Sequence, residues 1–204
     1  MISGRTIRLL PERAVAALLC AALAWPPCAA AADDGQWSLR ELMSELGKTR
    51  RTEARFVERK YLRVLERPLV SSGRLIYIAP GRLEKRTLAP KPETLIVSAD
   101  TLVIESTNRT RRTLRLQDYP VLWGFVESFR GTLDGDLDAL ERFYAVGLGG
   151  EPADWELVLA PRLEQMRAVI SQIRIRGSRG SVRVIEVTEA QGDRSVMQVF
   201  EDDS

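Results

Sequence analysis

From Gly47 onward, turn-forming residues cut the chain every eight to twelve residues, and the segments between them alternate apolar and polar side chains. Pro68, Ser71-Ser72-Gly73, Pro80-Gly81, Pro90-Lys91-Pro92, Asp100 and Asn108 punctuate the first half. Between them lie Arg74–Ala79, Leu83–Leu88, Thr94–Ser98, Leu102–Ser106 and Thr113–Gln117. A period of two over such short segments is that of antiparallel strands with one buried and one wet face, and their even spacing is that of a meander. A longer strand precedes them. Ala54, Phe56, Glu58, Lys60, Leu62 and Val64 share one parity, with Arg55, Arg59 and Arg63 on the other. Five more strands follow at Tyr144–Leu148, Trp155–Ala160, Val169–Arg176, Val182–Glu189 and Ser195–Phe200, joined by Gly149-Gly150, Gly177–Gly180 and Gly192-Asp193.

Helical spacing is confined to two places. Leu39, Leu42, Met43 and Leu46 recur at helical intervals within Trp37–Thr49, and Ser38 with Glu41 three residues later forms a capping box. Pro120 then opens an insertion in the meander, with helices predicted over 121–129 and 134–143. The sum is an α+β chain, mostly antiparallel β, of about 10–11 strands and about three helices. So many sequential strands curl into a barrel or a sandwich more readily than they stay flat, and the helical insertion is placed to plug an opening. Neither repeat nor linker divides residues 33–204, which are expected to form a single domain.

Residues 1–32 read differently. Arg5, Arg8 and Arg13 precede an apolar run of 12 residues, Ala14–Trp25, and then the small residues Cys28-Ala29-Ala30-Ala31-Ala32. This is the pattern of a secretory signal peptide, and the apolar run is well short of the ~20 residues a membrane-spanning helix needs. Cleavage after Ala30 or Ala32 is expected to release a soluble periplasmic protein. Cys20 and Cys28 fit no lipoprotein box and leave with the leader, so the mature chain has no cysteine. It also leaves 27 basic and 27 acidic residues, a neutral balance that argues for neither nucleic acid nor an anionic membrane as partner.

The chain has no histidine. Together with the missing cysteines this removes His-assisted serine chemistry, thiol nucleophiles and ordinary zinc or copper sites, and no cofactor or metal is expected. Ser71-Ser72-Gly73 is not a nucleophile elbow, and no glycine-rich loop cradles a phosphate. Asp134, Asp136 and Asp138 have calcium-loop spacing, but Ala139 stands at the glycine position and Ala145 at the closing glutamate, so a helix N-terminus explains them better. Asp and Glu are numerous enough to leave a two-carboxylate glycosidase open on composition, yet nothing in the sequence sets a pair at a cleft. Asn108-Arg109-Thr110 fits a glycosylation sequon and equally a hairpin turn, which is the preferred reading.

Three segments carry a resemblance: Ala54-Arg55-Phe56-Val57-Glu58-Arg59-Lys60, then Leu65 to Tyr77 with its Gly73-Arg74-Leu75-Ile76-Tyr77 strand, then Pro80-Gly81-Arg82-Leu83-Glu84-Lys85-Arg86-Thr87-Leu88-Ala89-Pro90. These resemble the Ala-x-Phe-x-Gln/Glu, Gly-x-Leu-x-Phe/Tyr and Pro-x-x-Leu-x-(Trp)-x-Thr-x-x-Pro strands of the LolA family of periplasmic outer-membrane lipoprotein carriers, of which this would be a short, divergent member. Ile96 to Leu102 sits where that family has a Val-Ser-Asp-Gly-like turn. The resemblance implies a half-open barrel closed by a helical lid, not an enzyme. It also implies an apolar cavity that takes lipoprotein acyl chains from an inner-membrane exporter and passes them to an outer-membrane acceptor. Two features depart from it: Ala79 stands before Pro80 where the family usually has Arg, with Arg82 as a substitute lid contact, and the sequence stops soon after Phe200 without the family's C-terminal segment. A glycolipid or other lipid-linked product is therefore an alternative cargo, and a periplasmic sensor or interaction protein on the same fold an alternative role.

An acyl chain held in water costs about 0.8 kcal/mol per methylene, on the order of 12 kcal/mol for a 16-carbon tail, which an apolar wall must offset. By parity the nominated wall residues are Phe56, Leu62, Leu75, Tyr77, Leu83, Leu102 and Ile104 on strands and Trp123, Phe125, Phe129 and Leu137 on the lid. Each could be ordinary core instead. Gly124, Gly131 and Gly135 are candidate flexing points for release, and a monomer without stable membrane insertion is expected.

Overall fold

The computed structural model describes residues 37–106 and 110–201. The leader therefore lies outside the described residues, as do Asn108 and Arg109 of the sequon. The helix α1 (Leu39–Leu46) is followed by strands β1 (Arg51–Tyr61), β2 (Leu69–Ile78), β3 (Arg82–Ala89), β4 (Glu93–Ser98), β5 (Thr101–Ser106) and β6 (Arg111–Arg115). A 3-10 turn (Leu116–Asp118) and helices α2 (Pro120–Asp134) and α3 (Leu137–Phe143) lead to β7 (Tyr144–Glu151) and β8 (Asp154–Pro161). A short helix α4 (Glu164–Arg167) precedes β9 (Ile170–Ser178), β10 (Ser181–Glu189) and β11 (Arg194–Glu201).

The eleven strands make one antiparallel sheet in the order β6-β5-β4-β3-β2-β1-β11-β10-β9-β8-β7. Consecutive strands are neighbours within β1–β6 and within β7–β11, and these two halves meet where β1 pairs with β11, Phe56 opposite Val199 and Glu58 opposite Met197. The sheet is not closed: β6 and β7 are its two edges. The segment that links one edge to the other is the helical insertion. A hairpin would have continued the meander toward closure, whereas α2 and α3 occupy that interval of sequence and pack against sheet residues.

Two clusters form the core. One joins α1, α3 and α4 to β7–β9 and contains Leu42, Leu46, Leu140, Tyr144, Trp155 and Ile173, all essentially without solvent contact. The other, smaller, joins β4, β5 and the 3-10 turn to α2 through Val97, Leu102, Leu116 and Val126. At the chain's start, Ser38 accepts from the Glu41 amide at 3.3 Å while Glu41 accepts from the Ser38 amide at 2.8 Å, the reciprocal cap read from the sequence. These bonds to Ser38, backbone first, hold the exposed Glu41 carboxyl below its ordinary value.

Several segments differ from the sequence reading, for identifiable reasons. Ser71-Ser72-Gly73 is not a turn but the interior of β2. Gly73 marks a bulge: the register shifts between Ser72 and Gly73, and a Cβ there would stand 1.9 Å from the Arg86 carbonyl oxygen. The β1–β2 connection instead spans 62–68, so β1 ends before Leu62 and Val64. Gly149-Gly150 likewise lies inside β7. Leu116 and Gln117 leave β6 for the 3-10 turn, and α4 stands where only a connection to β9 was expected. The helix predicted over 121–129 runs on to Asp134, ending at Gly135 with φ +69°.

Candidate functional site

Inward residues of the central strands face α2 across open space, with contact at its margins, where Tyr77 reaches Asp134 and where Val97 and Leu102 pack with Val126. Between strands and helix lies a cavity of ≈ 340 Å³ bordered by β1–β5, β10, β11 and the helix, within the range of small-ligand sites. The helix contributes Leu122, Phe125, Val126, Phe129 and Leu133, the i, i+3, i+4, i+7, i+11 stripe of an amphipathic helix. The sheet contributes Leu75, Leu83, Leu95, Val97, Leu102 and, beyond the β1–β11 seam, Ile185, Met197 and Val199.

The eleven residues nominated from the sequence divide. Leu75, Tyr77, Leu83, Leu102, Phe125 and Phe129 border the cavity. Phe56 shares their face but is buried beneath it, filling the space left by the missing side chain of Gly73, whose Cβ position is 3.0 Å from the ring. Ile104 packs into the smaller core cluster, Leu137 into the larger, and Trp123 against both, its ring 5.5 Å from that of Phe143. Leu62 lies past the end of β1, away from the cavity wall. Parity places a residue on a face, but position along the strand decides whether that face borders open space.

One end of the wall is polar, a feature the residue-by-residue reading did not single out. Lys85 Nζ lies 2.6 Å from Glu58 Oε2, Ser195 Oγ donates to Glu58 Oε1 at 2.5 Å, and Ser71 Oγ donates more weakly at 3.4 Å. Burial alone would raise the Glu58 carboxyl, but the Lys85 ammonium and the two hydroxyls outweigh it and hold the group below its ordinary value. Lys85 also sits over the Phe56 ring, 5.0 Å from its centre. The signal available in the sequence was the shared parity of Glu58 with Ala54 and Phe56.

At the opposite end, the lid is fastened by Asp134. Its Oδ1 accepts the Tyr77 hydroxyl and, at 3.1 Å, the Gly81 amide. Burial, and then the Asp134 carboxylate, push the Tyr77 phenol well above its ordinary range. Arg130 adds a second tie, donating to the Ala99 carbonyl at 3.0 Å. Arg82, the expected lid contact, instead faces Glu84 at 3.7 Å. Asp136 caps α3 by accepting from the Ala139 amide at 2.9 Å. Among the described residues no three His, Cys, Asp or Glu side chains are grouped to hold a metal ion, and no helix is long and apolar enough to cross a membrane.

The family model for outer membrane lipoprotein carrier proteins of LolA-like type matches residues 27–199. The chain belongs to this LolA-like family. Among curated proteins no sequence matches it. Solved structures with a similar arrangement include a DUF1329 family protein from Desulfovibrio piger, 11% identical, covering 79% of this chain and 88% of that one with a TM-score of 0.45. A LolA superfamily protein from Nitrosomonas europaea is 8% identical over 82% of this chain and 95% of its own, TM-score 0.41. The MucA/MucB complex from Pseudomonas aeruginosa is matched at 12% identity over 79% of this chain and 55% of that one, TM-score 0.43.

In this LolA-like chain the three lid glycines serve close approach. A Cβ on Gly124 would meet the Met166 Sδ and Cε at 2.5 Å, one on Gly131 the Leu140 Cγ at 2.8 Å, and one on Gly135 the Met43 carbonyl oxygen at 2.1 Å. They are thus contact points of α2 with α4, α3 and α1. Tyr144 reinforces the first by donating to the Gly124 carbonyl at 3.0 Å.

Proposed function

We propose that the protein is an exported periplasmic carrier that shelters the acyl chains of a lipoprotein, or of another amphiphile, in the cavity between the open sheet and α2. It would receive its load from an inner-membrane exporter and deliver it to an outer-membrane acceptor, as a monomer freed of residues 1–32. The observation that carries this reading is the cavity itself. Its wall is apolar along most of its length, it lies under a helix held by few polar ties, and it belongs to a chain of the LolA-like family. Sheltering a tail there gains about 0.8 kcal/mol for each methylene removed from water, so a tail of moderate length is held without covalent attachment. The mostly apolar lining of the cavity supports a binding role for the wall.

Native mass spectrometry of the mature chain, purified from the periplasm without detergent, tests this. A stoichiometric acylated species released into organic solvent is expected, and its mass separates lipoprotein from glycolipid. An empty protein that also refuses added lipid would overturn the proposal, and a stable protein partner in its place would favour an interaction role. Sequencing of the mature N-terminus checks the leader, with Ala31 or Asp33 expected as its first residue.

A further inference from the structure

An ion pair is an expensive way to line an apolar cavity, since an aliphatic pair of similar volume would serve the fold as well or better. The group around Glu58 is nevertheless well built. Glu58 faces Ser71 across β1–β2, and Lys85 reaches it from β3 over the ring of Phe56. Glu58, Lys85 and Ser195 all border the cavity. The carboxylate takes three donors, from Lys85, Ser195 and Ser71. The ammonium, which carries three N–H groups, makes one hydrogen bond among the described residues. The cluster therefore presents spare donors and no net charge at the end of an apolar channel.

We propose that this cluster is a head-group site that takes the ester or amide carbonyl where an acyl tail joins its polar part. The inference rests on the carrier reading and specifies its ligand. A neutral carbonyl oxygen can accept a spare Lys85 N–H while Glu58 keeps its own bond. A full anion would have to share the same ammonium with a carboxylate, and the repulsion between the two negative groups in a poorly screened wall opposes it. Leu75 and Leu95 flank Lys85 on the neighbouring strands, and the tail then runs from between them toward Phe125 and Phe129, all of which border the same space.

The test compares two amphiphiles that differ in one carbonyl, 1-monopalmitoylglycerol and 1-O-hexadecylglycerol, as competitors for N-phenyl-1-naphthylamine bound to the mature protein. The ester should displace the fluorophore at a roughly tenfold lower concentration than the ether, the effect of one hydrogen bond to a charged donor. In the double variant E58L/K85M the two should compete equally, at the concentration the ether needs in the wild type. Equal competition in the wild type would overturn the head-group site and leave the carrier reading intact, as would a preference that survives in the double variant. Tighter competition by palmitate than by the ester would overturn the assignment to a neutral carbonyl. Failure of the fluorophore and both amphiphiles to bind would overturn the carrier reading. The wild-type comparison needs no variant, so equal competition there overturns the head-group site even if E58L/K85M does not fold.

Discussion

The Tyr77 hydroxyl, on the second strand of the sheet, donates to the carboxylate of Asp134, the last residue of the lid helix α2. The same oxygen accepts the Gly81 amide in the β2–β3 turn, so one carboxylate fastens the helix to two points of the sheet. Removing it in D134A strands a partly buried phenol and an amide, and a loss of about 1–3 kcal/mol is expected. Hydrogen exchange should show faster opening of residues 120–134 with β8 and β9 unchanged. Equal loss of protection in all elements would mean that the contact supports the whole fold instead of the lid.

Glu58 predicts how stability depends on pH. Its carboxyl is held below the ordinary value in the folded state. Its contribution is therefore complete above the unfolded-state value, about 4.3, and is lost as pH falls through the lower folded value. Thermal melts from pH 7 to pH 3 should show the wild type losing more Tm than E58L/K85M, which lacks the pair. Parallel decline of the two would show that other groups govern acid unfolding.

The glycines of α2 allow a prediction of sign. Helix propensity alone favours alanine over glycine by about 0.5–1 kcal/mol. At Gly131 a methyl would press on Leu140 Cγ and approach the Asp136 carbonyl oxygen at 3.2 Å, neither of which is a free chain end. G131A should lower stability by about 1–3 kcal/mol. At Gly124 the nearest obstacle is the flexible end of Met166, which can move aside, with the Phe143 ring edge next at 3.2 Å, so G124A should fall within about 1 kcal/mol of the wild type. Chemical denaturation of both variants checks the order.

Filling the cavity separates wall from periphery. Leu75 borders the cavity in the middle of β2, and L75W should weaken binding of N-phenyl-1-naphthylamine at least tenfold. Leu62 lies beyond the end of β1, and L62W should leave binding unchanged. The reverse pattern would return Leu62 to the wall.

Features set by neighbours along the chain were legible from residue order alone. The Ser38–Glu41 capping box closes within one helical turn, the alternation of Ala54, Phe56 and Glu58 is a property of extended backbone, and the order of strands and helices follows from local period and punctuation. The LolA-like resemblance was legible for the same reason, since its motifs lie on consecutive strands. Gly73 and Gly149 were ambiguous because glycine serves both a turn and a strand interior, and which one holds depends on the backbone of the adjacent strand.

Which inward side chains face open space is settled by packing in three dimensions. That depends on where α2 crosses the sheet, and so Phe125 borders the cavity as well as the core, while Trp123, two residues away, packs against core alone. The same packing also decided the partners of charged groups. Glu58 and Lys85 meet across a bulged β2, and Asp134 rather than Arg82 fastens the lid. A side chain's partner is set by strand register and helix placement over tens of residues, and no local pattern in the chain encodes that distance.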